Sequence, residues 1–335
     1  MDVLAFGVQA DERPLIEAAF AEEGGARCVE VFLTADTAAI AHGHQTISTS
    51  VNCDLGPEVL RTLAAGGTRM IAQRSTGFNN IDIDVAEALG LTVFRVSSYS
   101  PYSVAEFAWA LATAVNRNLV RAAIRTRDFD FRLQGLMGRD LHGRTAGIIG
   151  TGRIGAAFAS IAHGFGMRLL GWDVHENPDC RALGMEYVDR DRLLRESDLV
   201  SLHVPLLPTT AHLLDARALR LMKDDALLVN SSRGGLIDTE ALVGELRKGR
   251  FAGVGLDVYE AESGLFFLDK SLEGVDDDVL ARLMTFPHVI VTSHQAYYTQ
   301  DAVGQIIAAT VENVRDGEAG RRTPNVIVPR APEAG

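Results

Sequence analysis

Three ionisable residues in the second half of the chain stand just beyond runs that read as β-strands. Arg233 follows Leu227-Leu228-Val229-Asn230-Ser231-Ser232, Glu262 closes Gly255-Leu256-Asp257-Val258-Tyr259-Glu260-Ala261-Glu262, and His294 follows Val289-Ile290-Val291-Thr292-Ser293. Open α/β sheets bind ligands outside the carboxyl ends of their strands, so side chains distant in sequence can converge there at one crevice. The three types suit one reaction, the reduction of a 2-keto acid. A guanidinium grips a carboxylate through two parallel hydrogen bonds and polarises the adjacent carbonyl. An imidazole titrates near neutrality, so it gives a proton in one direction and takes it back in the other. A carboxylate beside it favours the charged ring and orients it. Glu260 lies one strand alternation from Glu262, and the pattern alone leaves either as that partner.

Such a reaction also needs a hydride source. The segment Ala146-Gly147-Ile148-Ile149-Gly150-Thr151-Gly152-Arg153-Ile154-Gly155 reads as strand, tight turn and helix. Gly150 permits the turn, Gly152 lets the backbone approach a pyrophosphate, and Gly155 allows helix and strand to pack closely. The helix start offers free N–H groups and the positive end of its dipole to phosphates. The next strand candidate, Leu169-Leu170-Gly171-Trp172-Asp173, ends in an acid 23 residues after Gly150, close to the spacing of a ribose-binding carboxylate. Val174-His175-Glu176 follows without an arginine for a 2′-phosphate, so NAD is expected rather than NADP.

The elements that must position these groups alternate along the chain. Strands are expected over Val3–Val8, Cys28–Leu33, Thr46–Asn52, Arg69–Arg74 and Leu91–Val96, with helices over Glu58–Ala65 and Asp84–Leu89 between them. Tyr102–Arg127 reads as one long helix. A second alternation then runs through strands at Thr145–Gly150, Arg168–Trp172, Leu199–His203, Ala226–Asn230, Gly253–Asp257 and Val289–Thr292, with a helix over Ile154–Phe165. Asp276-Asp277-Asp278 reads as a helix start, Asp301–Arg315 as a helix, and Gly317–Gly335 as a polar tail. Such βαβα order implies parallel sheets covered by helices, here two doubly wound units of α/β class. The second is inserted near Pro101, and the last helix returns to the first.

Composition narrows the partners. With 335 residues the chain exceeds one ordinary core. Asp and Glu number 44 against 32 Lys and Arg, so the net charge of -12 disfavours nucleic acid and anionic membrane surfaces. Cys28, Cys53 and Cys180 are sparse and odd in number, which fits a reducing, cytoplasmic setting better than a disulfide framework. The apolar opening from Met1 to Val8 is too short for a signal peptide, and no run reaches membrane-span length. His42 and His44 read as solvated loop residues and Trp109 and Trp172 as core or interface residues; no metal site is expected.

Several motifs together resemble the D-isomer-specific 2-hydroxyacid dehydrogenase family, and within it the D-lactate dehydrogenases. They are Arg74-Ser75-Thr76-Gly77-Phe78-Asn79-Asn80-Ile81-Asp82, the Gly150–Gly155 turn, Ser201-Leu202-His203-Val204-Pro205-Leu206, Val229–Asp238, Asp257-Val258-Tyr259-Glu260 and His294-Gln295-Ala296-Tyr297-Tyr298. Leu265–Ser271 resembles the fermentative D-lactate branch. The resemblance implies Arg233 as the substrate-binding arginine, Glu262 as the acid paired with histidine, and His294 as the proton donor. It implies backbone amides of Thr76 and Gly77 on the substrate carboxylate and Tyr99 reaching into the substrate site. Gly150, Gly152, Arg153, Ile154, Gly155, Asp173, Val204, Pro205, Thr210, Ser231, Ser232 and Asp257 fall at cofactor-contact positions; His203 reads either as a cofactor neighbour or as a plain strand-end histidine.

The implied fold is a discontinuous, flavodoxin-like substrate domain of residues 1–100 plus 299–335 and an inserted Rossmann NAD-binding domain of residues 101–298. Members of the family are usually homodimers joined through the NAD-binding domains. The implied activity is reversible hydride transfer between NADH and a small 2-keto acid, with pyruvate to D-lactate favoured. Tyr297 departs from the lactate-type pattern, which often has Phe beside the substrate side chain. Phenylpyruvate, glyoxylate or hydroxypyruvate therefore stay open as substrates. Glu262 argues against a formate dehydrogenase, whose family pairs the histidine with an amide, and a non-enzymatic NAD-sensing corepressor is the remote alternative.

Overall fold

The computed structural model describes residues 3–328; Met1, Asp2 and residues 329–335 lie outside the described residues, and with them the ends of the expected opening and tail. The described residues fall into two compact units, 3–100 with 299–328, and 101–298.

The first unit holds strands β1 (Val3–Ala5), β2 (Ala26–Cys28), β3 (Thr46–Thr49), β4 (Met70–Gln73) and β5 (Thr92–Phe94). They pair in parallel in the order β2-β1-β3-β4-β5, the flavodoxin-like doubly wound order. The strand expected over Cys28–Leu33 is displaced. Regular pairing with β1 ends at Ala5↔Cys28, and beyond it only scattered bonds such as Val8 N–H to the Val29 carbonyl persist. The expected polar tail also contains a strand, Val326–Val328 (β13 in chain order), which is the sixth strand of this sheet and pairs antiparallel to β5 at its edge. His44 is buried rather than solvated. Leu4, Ile47, Ile71 and Val93 supply the sheet's part of a core completed by Leu60 and Leu63 of the helix Pro57–Ala65.

The second unit holds β6 (Thr145–Ile149), β7 (Arg168–Trp172), β8 (Glu186–Tyr187), β9 (Leu199–Leu202), β10 (Leu227–Asn230), β11 (Gly253–Leu256) and β12 (Val289–Val291). All run parallel in the order β12-β11-β10-β9-β6-β7-β8. Read outward from β6 this is the Rossmann arrangement with one added strand, and the order reverses between β6 and β9. Both faces are covered. Leu227 and Val229 enter one core and Leu228 the other, as side chains alternate along β10. The long helix expected over Tyr102–Arg127 is two, Pro101–Asn116 and Leu119–Arg127. Asn118 takes a left-handed conformation (φ 52°), which asparagine tolerates better than most residues and which ends the helical ladder. The Asp276–Asp278 run does start a helix: Asp277 caps Asp278–Met284 through the Leu280 N–H at 2.8 Å.

Candidate active site

The glycine-rich turn begins where β6 ends. Gly150 has φ +91°, and a Cβ there would stand 2.7 Å from the His203 backbone, so the turn requires glycine on both counts. A Cβ on Gly155 would fall 1.9 Å from the Gly150 carbonyl oxygen, which fixes how closely the helix Arg153–Gly164 approaches the strand. Gly152 is different: nothing among the described residues lies within 4 Å of where its Cβ would be. Among the described residues no side chain caps that helix, whose first residues are Arg153 and Ile154. Its free N–H groups and dipole therefore face an open approach suited to an anion. The Asp173 carboxylate accepts from the Thr151 N–H at 2.6 Å and from the Val174 N–H at 2.6 Å.

The sheet order strings the remaining expected cofactor positions along one carboxyl edge. Asp173 follows β7, the turn follows β6, His203, Val204 and Pro205 follow β9, Ser231 and Ser232 follow β10, and Asp257 follows β11. At about 4.8 Å per strand, the edge from β7 to β12 spans roughly 24 Å. His203 is neutral: burial pushes its imidazole down to about 3, and its Nε2 meets Ser201 Oγ at 2.9 Å. The Thr210 hydroxyl closes its own turn, donating to the Pro205 carbonyl at 2.7 Å and accepting from the Leu207 N–H. Ser232 Oγ donates to the Val204 carbonyl at 2.6 Å, whereas the buried Ser231 hydroxyl has no partner among the described residues. An open Gly152, an uncapped helix start and an orphaned Ser231 hydroxyl along one edge fit a dinucleotide.

Arg233, Glu262 and His294 stand on the ends of three adjacent strands, β10, β11 and β12. Asn230, wholly buried, folds the first of these ends: its amide donates to the Arg233 carbonyl at 2.8 Å and accepts from the Ser232 N–H at 3.0 Å. The half-buried Arg233 uses Nη1 on the Ser232 carbonyl at 2.6 Å and pairs with no carboxylate among the described residues. A guanidinium held this way keeps donors for an incoming carboxylate.

His294 meets Glu262, not Glu260: its Nδ1 lies 2.8 Å from Glu262 Oε1. The other Glu262 oxygen accepts from the Tyr259 N–H at 3.1 Å, which anchors the carboxylate. Glu260 instead pairs with His212 and accepts from the Thr239 hydroxyl at 3.1 Å. Because Nδ1 is engaged, Nε2 is the nitrogen left to exchange a proton with a ligand.

The histidine backbone is itself constrained. His294 has φ 55°, a left-handed conformation that costs a non-glycine residue roughly 1–3 kcal/mol unless its surroundings hold it. Asp257 does so. Its carbonyl accepts from the His294 N–H at 2.7 Å, and its carboxylate accepts from Thr292 Oγ1 (2.6 Å), Gln295 N–H (2.9 Å) and Ala296 N–H (2.8 Å). That carboxyl is wholly buried; desolvation pushes its pKa up while those three donors pull it back. Both Asp257 oxygens thus serve the loop bearing His294. Tyr297, two residues after Gln295, is half-buried with its ring edge-on to Tyr298 at 5.7 Å.

In the first unit, Thr76 and Gly77 lie in the loop after β4. The Thr76 carbonyl accepts from Arg95 Nη1 at 3.1 Å and the Gly77 carbonyl from Ser75 Oγ at 2.6 Å. Their carbonyls are thus engaged, while their N–H groups have no acceptor among the described residues. Tyr99 is half-buried in the stretch that follows β5. Sequence reasoning passed over Asn230 and gave Asp257 no part in holding His294. Asn230 carried a signal, a polar residue ending an apolar strand run, which must find partners when buried.

The chain belongs to the D-isomer-specific 2-hydroxyacid dehydrogenase family, whose NAD binding domain profile matches residues 109–296. It is accordingly an NAD-dependent oxidoreductase, a D-2-hydroxyacid dehydrogenase. It is 47% identical over 300 residues to the D-lactate dehydrogenase kk1H of Curvularia clavata, covering 90% of this chain and 86% of that one. It is 43% identical over 332 residues to 2-hydroxyacid dehydrogenase A of Aspergillus oryzae, covering 98% and 95%. The apo-structure of D-lactate dehydrogenase from Escherichia coli superposes with a TM-score of 0.89 at 39% identity, covering 98% of this chain and all of that one. No helix among the described residues is long and apolar enough to cross a membrane.

Proposed function

We propose that this dehydrogenase reduces a small 2-keto acid, pyruvate before others, to the D-2-hydroxy acid. The observation that carries the reading is the pairing of His294 Nδ1, after β12, with Glu262, after β11, while Arg233 after the neighbouring β10 has no carboxylate partner among the described residues. Arg233 binds the substrate carboxylate and polarises the 2-carbonyl. His294 delivers a proton from Nε2 to the carbonyl oxygen, and takes it back in the oxidative direction. Glu262 stabilises the charged ring and keeps it turned toward the substrate. Thr76, Gly77 and Tyr99 bind the same acid. NADH, when bound, supplies the hydride. Gly150, Gly152, Arg153, Ile154, Gly155, His203, Val204, Pro205, Thr210, Ser231, Ser232 and Asp257 belong to its site, with Asp173 on the ribose hydroxyls.

The similarity to D-lactate dehydrogenases supports pyruvate. Tyr297 favours a second reading, a larger or more polar 2-substituent, because a phenol stands where lactate-type members often have Phe. A second copy of the chain is the proposed partner, docked on the NAD-binding unit. Phe129, Phe131, Leu133 and Met137 support this, being 83%, 71%, 82% and 93% exposed in one arm of that unit. Three unpaired, buried cysteines suit the reducing cytoplasm.

The test is NADH oxidation with the purified protein on pyruvate, phenylpyruvate, glyoxylate and hydroxypyruvate. Pyruvate is expected to give the highest kcat/KM. A preference for phenylpyruvate would move the assignment to the second reading, and NADH binding without turnover of any 2-keto acid would remove the enzymatic one.

A further inference from the structure

We propose that Tyr187 is a positioning residue for the dinucleotide site: acting through Thr151, it holds the Asp173 carboxylate and so sets the preference for NADH over NADPH. The proposal rests on the reading of Asp173 as the ribose-binding acid.

Tyr187 ends β8, the edge strand of the second sheet, and pairs in register with Gly171 on β7. Its ring is half-buried, with the Arg181 guanidinium 5.2 Å from its centroid. The direction of each hydrogen bond around its hydroxyl follows from donor chemistry. The Asn177 backbone N–H can only donate, and it lies 2.7 Å from the Tyr187 oxygen. The tyrosine hydroxyl donates to Thr151 Oγ1 at 2.9 Å, and the Cys180 thiol also lies against it. Thr151, having accepted there, turns its own proton to Asp173 Oδ2 at 3.2 Å, since a carboxylate can only accept. The Thr151 N–H reaches the same oxygen at 2.6 Å, and the Asn177 side-chain amide holds the Thr151 carbonyl at 2.8 Å. Thr151 is buried, so bulk water does not substitute for a lost partner at its hydroxyl.

Thr151 lies between Gly150 and Gly152, so one residue links the turn that suits the pyrophosphate to the acid that suits the ribose. Without the tyrosine hydroxyl, the Thr151 side chain loses its donor among the described residues and the Asn177 N–H is left unmet. Asp173 then keeps its backbone bonds from Thr151 and Val174 but loses the oriented hydroxyl bond, which loosens its hold on a ribose diol and its repulsion of a 2′-phosphate. Both losses act in the same direction on the NADH to NADPH ratio.

The experiment measures dissociation constants for NADH and NADPH by fluorescence on the full-length protein, with Tyr187→Phe, Thr151→Val, Thr151→Ser and Asp173→Ala beside the wild type. Tyr187→Phe and Thr151→Val are expected to weaken NADH about three- to tenfold, the range of one ordinary hydrogen bond, and to leave NADPH unchanged or slightly tighter. Thr151→Ser, which keeps the hydroxyl, is expected to retain the wild-type ratio. Thr151→Val and Thr151→Ser carry the test if Tyr187→Phe does not fold. If Asp173→Ala leaves the ratio unchanged, the reading of Asp173 fails and takes the proposal with it. If Asp173→Ala collapses the ratio while Tyr187→Phe and Thr151→Val preserve it, or lower the melting temperature and weaken both nucleotides equally, Tyr187 has only a structural role and the proposal is overturned.

Discussion

Glu262→Gln changes one atom type in the pair that the account depends on, and the structure says why an amide cannot replace the acid. One carboxylate oxygen faces His294 Nδ1 at 2.8 Å and the other accepts from the Tyr259 N–H at 3.1 Å. When His294 carries the proton it is to donate, both of these neighbours are donors. A carboxylate accepts from both. A glutamine has one oxygen and one NH₂ group, so it satisfies Tyr259 and opposes the charged ring, or accepts from the ring and opposes the Tyr259 N–H. The proton-loaded form therefore loses one charge-assisted hydrogen bond, worth about 1.5–3 kcal/mol. The pair is only 12% and 23% exposed at the side chains, so solvent screening recovers little of that. At roughly 1.36 kcal/mol per tenfold, kcat for pyruvate reduction is expected to fall about ten- to a hundredfold. The assay is steady-state NADH oxidation, with the NADH dissociation constant measured in parallel and expected to stay at its wild-type value. A glutamine variant that keeps wild-type kcat would refute the role assigned to the carboxylate. Weaker NADH binding with unchanged kcat would move Glu262 from proton transfer to the cofactor.

Arg233→Ala is expected to raise KM for pyruvate and lower kcat together, as the role proposed for the guanidinium, on both the carboxylate and the carbonyl, requires; a change confined to NADH binding would contradict that. Gly155→Ala places a Cβ 1.9 Å from the Gly150 carbonyl oxygen, an overpacking expected to cost roughly 1–3 kcal/mol of stability and to weaken NADH. Unaltered melting temperature and NADH affinity would show that the turn has room to yield. Burial lowers the His203 pKa to about 3, so the folded state favours the neutral ring that the unfolded chain protonates near its ordinary value. Its contribution is thus fully present above about pH 6.5 and is lost as pH falls toward about 3, at no more than about 1.4 kcal/mol per pH unit. Denaturant unfolding across that range is expected to show a shallower acid slope for His203→Gln than for wild type, and equal slopes would place His203 in a solvated setting.

Much of the second unit was legible because its signals are local. Apolar runs of strand length are punctuated by Gly150, Asp173 and Asn230, and every expected strand of that unit is present to within a residue or two. The Gly150, Gly152 and Gly155 spacing states three steric demands that the backbone meets. What stayed hidden depended on partners far along the chain. Glu260 and Glu262 are indistinguishable by alternation, and the choice is made by where the loop after β11 turns back through Tyr259. The break at Asn118 carries no proline or glycine to announce it, and a single left-handed residue suffices. Val326–Val328 looks like part of a polar tail until β5 supplies its ladder. The helices Arg190–Glu196, Ala216–Leu221 and Thr239–Arg247 were passed over although Asp189, Asp215 and Asp238 cap them, a short-range signal that reading for apolar periodicity alone does not use.

The central claim is that one face of the 2-carbonyl receives hydride while His294 protonates its oxygen. It is tested most directly by the handedness of the lactate formed from pyruvate and NADH, read by chiral chromatography against both enantiomers. The account predicts D-lactate alone, in amounts matching the NADH consumed and lost in His294→Ala. L-lactate, a racemate, or undiminished product from the alanine variant would contradict it.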